Sequence, residues 1–101
     1  MYMDIKTIHD NQVQGILNRA KSLDKETKAE LIDYLNKTIE FMKKDLVDEP
    51  VDWSSLEYLK GENARNFFES DMNDYTIGWK LDEQEIIDFD KQVLQALQSN
   101  C

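Results

Sequence analysis

The sequence predicts an all-α fold. It reads as a single small bundle of four or five helices over residues 1–101, with an extended aromatic loop toward the C-terminal end. Three observations carry this. Glycine occurs three times and proline once in 101 residues, which favours helices joined by short connections. Apolar residues recur at spacings of three and four through most of the chain. Good N-cap residues stand just ahead of those runs. A length of 101 residues suits one domain. Apolar residues make up 41% of the chain and mean hydropathy is −0.67. Two Trp, four Tyr and four Phe still supply material for a core and argue against disorder.

The first helix is marked by Val13, Ile16, Leu17 and Ala20, which share one helical face. Asp10 is the candidate N-cap, and Ile5 and Ile8 either pack upstream on the same core or extend the helix. Gly15 weakens this helix by roughly 1 kcal/mol relative to alanine. The second helix, over 25–47, is the spine. Asp24 is its expected cap, with Glu26 in the favourable first turn. Ile32, Leu35, Ile39, Met42 and Leu46 form its stripe, widened by Leu31 and Phe41. Asp33 and Lys37 on its outer face make an i,i+4 pair. The helix is expected to stop before Pro50.

Residues 48–53 read as a linker. Ser54 and Glu57 then have the spacing of a capping box, with Leu56 and Leu59 facing inward and Gly61 as a C-terminal stop. A short helix is expected to resume over 63–68. Tyr75, Ile77, Trp79 and Leu81 alternate with Thr76, Gly78 and Lys80, the period of a half-buried strand. No second strand is visible to pair with it. The segment is therefore expected to be an extended loop anchored by its aromatics. A short strand at 75–81, pairing between subunits, is the alternative. The last helix opens on Asp82 and Glu85 as a capping box and carries Ile86, Phe89, Val93 and Leu97, broadened by Ile87 and Leu94. Fraying is expected near residues 99–101.

No stretch approaches the ~20 apolar residues of a membrane span. Residues 1–6 lack a basic region followed by an apolar one, so no secretory signal is expected; the expected location is the cytoplasm. The single cysteine, Cys101, cannot form an intrachain disulfide or a structural zinc site, and it is misplaced for prenylation. A formal charge of −9 argues against direct binding of nucleic acid or an anionic membrane.

That charge is unevenly placed. Residues 1–47 carry eight acids and eight bases, whereas 48–90 carry thirteen acids against Lys60, Arg65 and Lys80. The acidic part also holds Trp53, Tyr58, Phe67, Phe68, Tyr75, Trp79 and Phe89. Acids beside aromatics suit recognition of a basic surface, with carboxylates steering the encounter and Trp or Tyr as anchors. The same pattern also suits acids that merely solvate a surface over an aromatic core.

Catalytic and metal chemistry find little footing. His9 is the only histidine, so it has no histidine partner for a metal and supports no catalytic triad. It is expected at the surface or near a helix start. There is no phosphate-binding glycine loop or dinucleotide fingerprint. A calcium loop beginning at Asp71 places Asn73 correctly but puts Tyr75 and Thr76 where an oxygen ligand and glycine are required. Asp82, Glu85 and Asp88 lie within one or two helical turns, yet an exposed helix gives carboxylates water rather than a pocket that separates their pKa values. No enzyme activity, cofactor or metal is expected.

The function these features point to is a small acidic binding protein that occludes a basic protein partner, such as a nuclease toxin or a DNA-binding protein. The candidate partner-binding residues are Asp71, Asp74, Asp82, Glu83, Glu85 and Asp88, with Tyr75 and Trp79 as anchors. Size and charge are similar to those of immunity proteins, antitoxins and phage proteins that imitate DNA, taken as a broad group. The alternative is a homodimeric structural or adaptor protein whose seam runs along the 25–47 stripe or the 75–81 segment.

Overall fold

The computed structural model describes residues 4–99, and these are all-α. Cys101 and the end of the predicted fraying lie outside the described residues. In chain order come α1 (Ile5–Ser22), α2 (Lys25–Leu46), a 3₁₀ turn (Trp53–Ser55), α3 (Glu62–Asn66), a π-helical stretch (Phe67–Met72), α4 (Asn73–Gly78) and α5 (Glu83–Leu97).

Helix α1 begins a turn and a half earlier than expected. Asp4, not Asp10, is its N-cap, with Oδ1 accepting from the Thr7 backbone N–H at 2.8 Å. The added turns carry Ile5 and Ile8 to solvent, 70% and 42% exposed, and only Ile16 and Ala20 are fully buried. Asp24 caps α2 as expected, accepting from the Thr27 N–H at 3.1 Å. Leu31, Leu35, Ile39 and Met42 form its buried stripe. Asp33–Lys37 (3.6 Å) and Glu40–Lys44 (3.8 Å) pair along its outer side; such exposed pairs contribute a few tenths of a kcal/mol each.

The helix stops ahead of Pro50 through a Schellman motif. Asp48 takes the left-handed conformation at φ 58°. Its N–H reaches the Asp45 carbonyl, and the Glu49 N–H reaches that of Lys44, satisfying carbonyls the helix leaves open.

Ser54 and Glu57 do not form a capping box. The Ser54 hydroxyl bonds the Asp52 carboxylate and the Ser55 hydroxyl donates to the Asp52 carbonyl, so only a 3₁₀ turn results. Gly61 does not end a helix; it is the N-cap residue of α3.

The extended loop and the alternative strand expected at 75–81 are not found. Helix α3, the π stretch and α4 run on as one helical segment over 62–78. The reason lies in a second pattern, in which Ala64, Phe67, Phe68, Met72, Tyr75 and Trp79 recur at helical spacing. The π stretch keeps Phe67 and Met72, five residues apart, both in the core. A helix also satisfies its own backbone groups, which a lone strand cannot do. A second Schellman motif ends this segment, with Lys80 left-handed at φ 53° and the Leu81 N–H on the Thr76 carbonyl at 3.0 Å.

Helix α5 opens on the expected capping box. Asp82 Oδ1 accepts from the Glu85 N–H at 2.9 Å, and Glu85 Oε1 accepts from the Asp82 N–H at 3.0 Å. It lies against α2 and α1. One large cluster joins Ile16, Leu31, Leu35, Phe67, Tyr75, Phe89 and Val93. A smaller one joins Ile39, Met42 and Ile87.

A clip holds the 62–78 segment to α2. The Glu30 carboxylate accepts from the backbone N–H groups of Lys60 and Gly61, the latter at 3.1 and 3.2 Å. It thereby supplies the anion that Gly61 cannot provide at this helix start. A Cβ on residue 61 stands 2.6 Å from Glu30 Oε1, so the clip requires glycine there. Glu30→Ala is expected to lower stability by about 1–2 kcal/mol. Urea unfolding reads this directly, and a midpoint unchanged from wild type would mean the clip contributes nothing.

Candidate functional site

The predicted partner-binding residues fall into two groups. Tyr75 and Trp79 are not free anchors. Tyr75 is 3% exposed, its ring centred 4.5 Å from the Phe89 ring and tilted 41° to it, with its hydroxyl 2.9 Å from His9 Nε2 and 3.1 Å from Nδ1. Burial foremost, then the charges of Glu85 and Asp10, pushes that hydroxyl's pKa up. Trp79 is half-buried, and its indole N–H donates to Gln12 Oε1 at 2.7 Å. His9, expected at the surface or near a helix start, lies in the second turn of α1, half-buried and edge-on to both rings, at 4.9 Å and 4.7 Å. These aromatics tie the 62–78 segment to α1.

The six predicted acids are committed to different degrees. Asp71 accepts from Arg19 Nε at 3.0 Å. Asp82 and Glu85 close the α5 capping box. Glu83 is half-buried, and the Asp45 side chain of α2 foremost, with burial, raises its pKa. Asp88 is exposed and accepts from Gln84 Nε2 at 3.1 Å. Asp74 is exposed on the first turn of α4.

A concavity lies elsewhere, where the start of α2 faces the 57–63 segment. This open groove of about 690 Å³ is lined by six carboxylates: Asp24, Glu26, Glu30, Asp33, Glu57 and Glu62. Lys37 and Lys60 are its only bases among the described residues. Tyr34 and Tyr58 form an aromatic wall, their rings 6.0 Å apart. The Tyr58 hydroxyl donates to Glu69, which with burial pushes its pKa up to about 12. Asp24 is occupied by its cap, Glu30 by the clip and Asp33 by Lys37. Glu26, Glu57 and Glu62 are exposed and form no ion pair among the described residues.

Sequence reasoning missed this groove because its acids come from both the neutral and the acidic stretch. The clip at Glu30, the Tyr34–Tyr58 contact and the shared core, none of them visible in the chain order, bring them together. Chemically the groove offers acceptors and aromatic faces, which suit ammonium and guanidinium groups. Among the described residues no group of three or more His, Cys, Asp or Glu side chains is arranged to hold a metal ion. Among the described residues no helix is long and apolar enough to cross a membrane. No family model matches the chain, and neither a curated protein nor a solved structure matches it.

Proposed function

We propose that this chain is a small acidic binding protein that occludes a basic protein partner, of the kind presented by a nuclease toxin or a DNA-binding protein. The observation that carries this reading is charge left uncompensated within the chain. Of the thirteen acids in residues 48–90, Asp71 is the one in an ion pair among the described residues. A surface of this kind repels itself in isolation and gains when a cationic surface covers it. The acid-lined groove with its Tyr34–Tyr58 wall adds a concave place for basic side chains. Partner contacts are expected from Asp74 and Asp88 and from the groove acids Glu26, Glu57 and Glu62. Steric blockage plus charge complementarity would do the inhibiting.

Two observations weigh toward the first reading over the homodimer alternative. The α2 stripe is covered within the chain by α5, and the 75–81 segment has no open strand edge.

Competition tests the proposal. The immobilised chain is loaded at low salt with proteins of its own source, then challenged with duplex DNA. The expected result is retention of basic proteins that DNA displaces, since both polyanions compete for one cationic site. Retention without a basic bias, or retention that DNA leaves untouched, contradicts it.

A further inference from the structure

Among the described residues, the exposed aromatic side chains are Trp53 and Tyr58, at 44% and 49%. Both stand on the segment that returns along α2. Trp53 meets Phe41 edge-on at 5.6 Å, and Tyr58 meets Tyr34 at 6.0 Å. The Glu30 clip then takes the backbone at Lys60 and Gly61. The segment therefore runs antiparallel to α2, from Phe41 back to Glu30. Phe41 and Tyr34 are seven residues apart on α2, which sets the two exposed rings about 10 Å apart along its axis.

Each ring is held on one side and open on the other. The Trp53 ring stands at 88° to Phe41, and the Tyr58 hydroxyl is tied to Glu69. An aromatic already fixed in place loses little side-chain freedom when a partner covers it. Trp and Tyr are also enriched among the side chains that carry binding energy. Acids flank both rings. Residues 45–59 hold Asp45, Asp48, Glu49, Asp52 and Glu57 and no base, and all five acids are exposed. On α2, Lys37 and Lys44 are paired with Asp33 and Glu40.

We propose that this return face docks an amphipathic basic helix of the protein partner, its apolar stripe on Trp53 and Tyr58 and its Lys and Arg residues against the flanking acids. The inference rests on the proposed basic partner and names the surface that receives it. A helix fits the spacing, because its residues i and i+7 share one face and lie two turns, about 10 Å, apart. Charge complementarity selects a cationic occupant. A second copy of this chain would set the five acids against their own like charges across a two-fold interface. Glu57 and Tyr58 also line the acidic groove, so groove and return face are continuous. Trp53 and Tyr58 take the anchoring role that packing against α1 denies Tyr75 and Trp79.

The probe is a helical peptide of about 18 residues built from Leu and Lys, with its Leu on one face; oligolysine of equal charge is the control. Each is titrated at low salt into the ¹⁵N-labelled full chain, and the indole N–H signals of Trp53 and Trp79 are followed. The Leu–Lys peptide is expected to shift the Trp53 indole and the backbone signals of residues 52–58, and to leave the Trp79 indole in place. It is expected to bind at least about tenfold more tightly than oligolysine. Trp53→Ala is expected to weaken the peptide by about tenfold and to leave oligolysine unaffected; should that variant unfold, the wild-type shifts alone decide. Salt-sensitive binding that maps to other residues, or equal affinity for peptide and oligolysine, overturns the docking face and leaves the basic-partner proposal standing. No binding of either probe contradicts both. A Trp53 indole signal that moves with the concentration of the chain alone assigns the face to a second copy and also overturns the helix.

Discussion

Tyr75→Ala is expected to destabilise the chain by about 3 kcal/mol or more, while Tyr75→Phe costs about 1 kcal/mol. The large change removes a ring that is 3% exposed and packed against Phe89, leaving a cavity at the centre of the main cluster. The small change keeps the ring and deletes one hydroxyl bond to His9. Both variants are read by urea unfolding. The contrast decides between two roles for this residue. An exposed docking anchor replaced by alanine leaves stability within about 0.5 kcal/mol and weakens only partner binding. A core residue does the reverse in stability first, so a near-neutral Tyr75→Ala would contradict the placement of the 62–78 segment.

The second large effect concerns charge. Neutralising Glu57, Glu62, Asp74 and Asp88 together, as Glu57→Gln, Glu62→Gln, Asp74→Asn and Asp88→Asn, removes four exposed negative charges. Caps, clip and core stay intact. Stability is expected to change by no more than about 0.5 kcal/mol per site, with a small net gain from reduced self-repulsion. Association with the basic partner is expected to slow by about ten- to a hundredfold, because steering depends on the summed field. Stopped-flow association with the captured partner measures this. Retained speed would place the contact on some other face.

Much of the fold was legible in the chain. Asp24 and Asp82 announced the starts of α2 and α5, and the stripes at Leu31–Met42 and Ile87–Leu97 announced their buried faces. The 62–78 segment was not, because two periods overlap there. Tyr75, Ile77, Trp79 and Leu81 alternate like a strand, yet Ile77 is 71% exposed and belongs to no core face. The helical set from Ala64 to Trp79 was present in the same residues and is the one that tertiary packing selects.

Asp90 is one of the thirteen acids of residues 48–90, and it is buried. Its position three to four residues from Ile86, Ile87, Val93 and Leu94 already put it on the apolar stripe. The start of α1 at Asp4 and the role of Gly61 depended on contacts that local rules do not rank. The first is a choice between two good caps, Asp4 and Asp10. The second is a long-range bond from Glu30. For the site, the excess of acids over residues 48–90 was visible. Its division into capping, clipped and free carboxylates was not, since that depends on which backbone N–H groups each one meets.

Charge recognition of a basic partner is the central claim, and the ionic-strength dependence of the association rate tests it most directly. Between about 50 mM and 500 mM salt the Debye length shortens from roughly 14 Å to roughly 4 Å. The association rate of wild type with its partner is expected to fall by at least about tenfold over that range, with dissociation changing far less. The quadruple neutral variant is expected to show a much shallower dependence. An association rate indifferent to salt, in wild type and variant alike, would contradict the account.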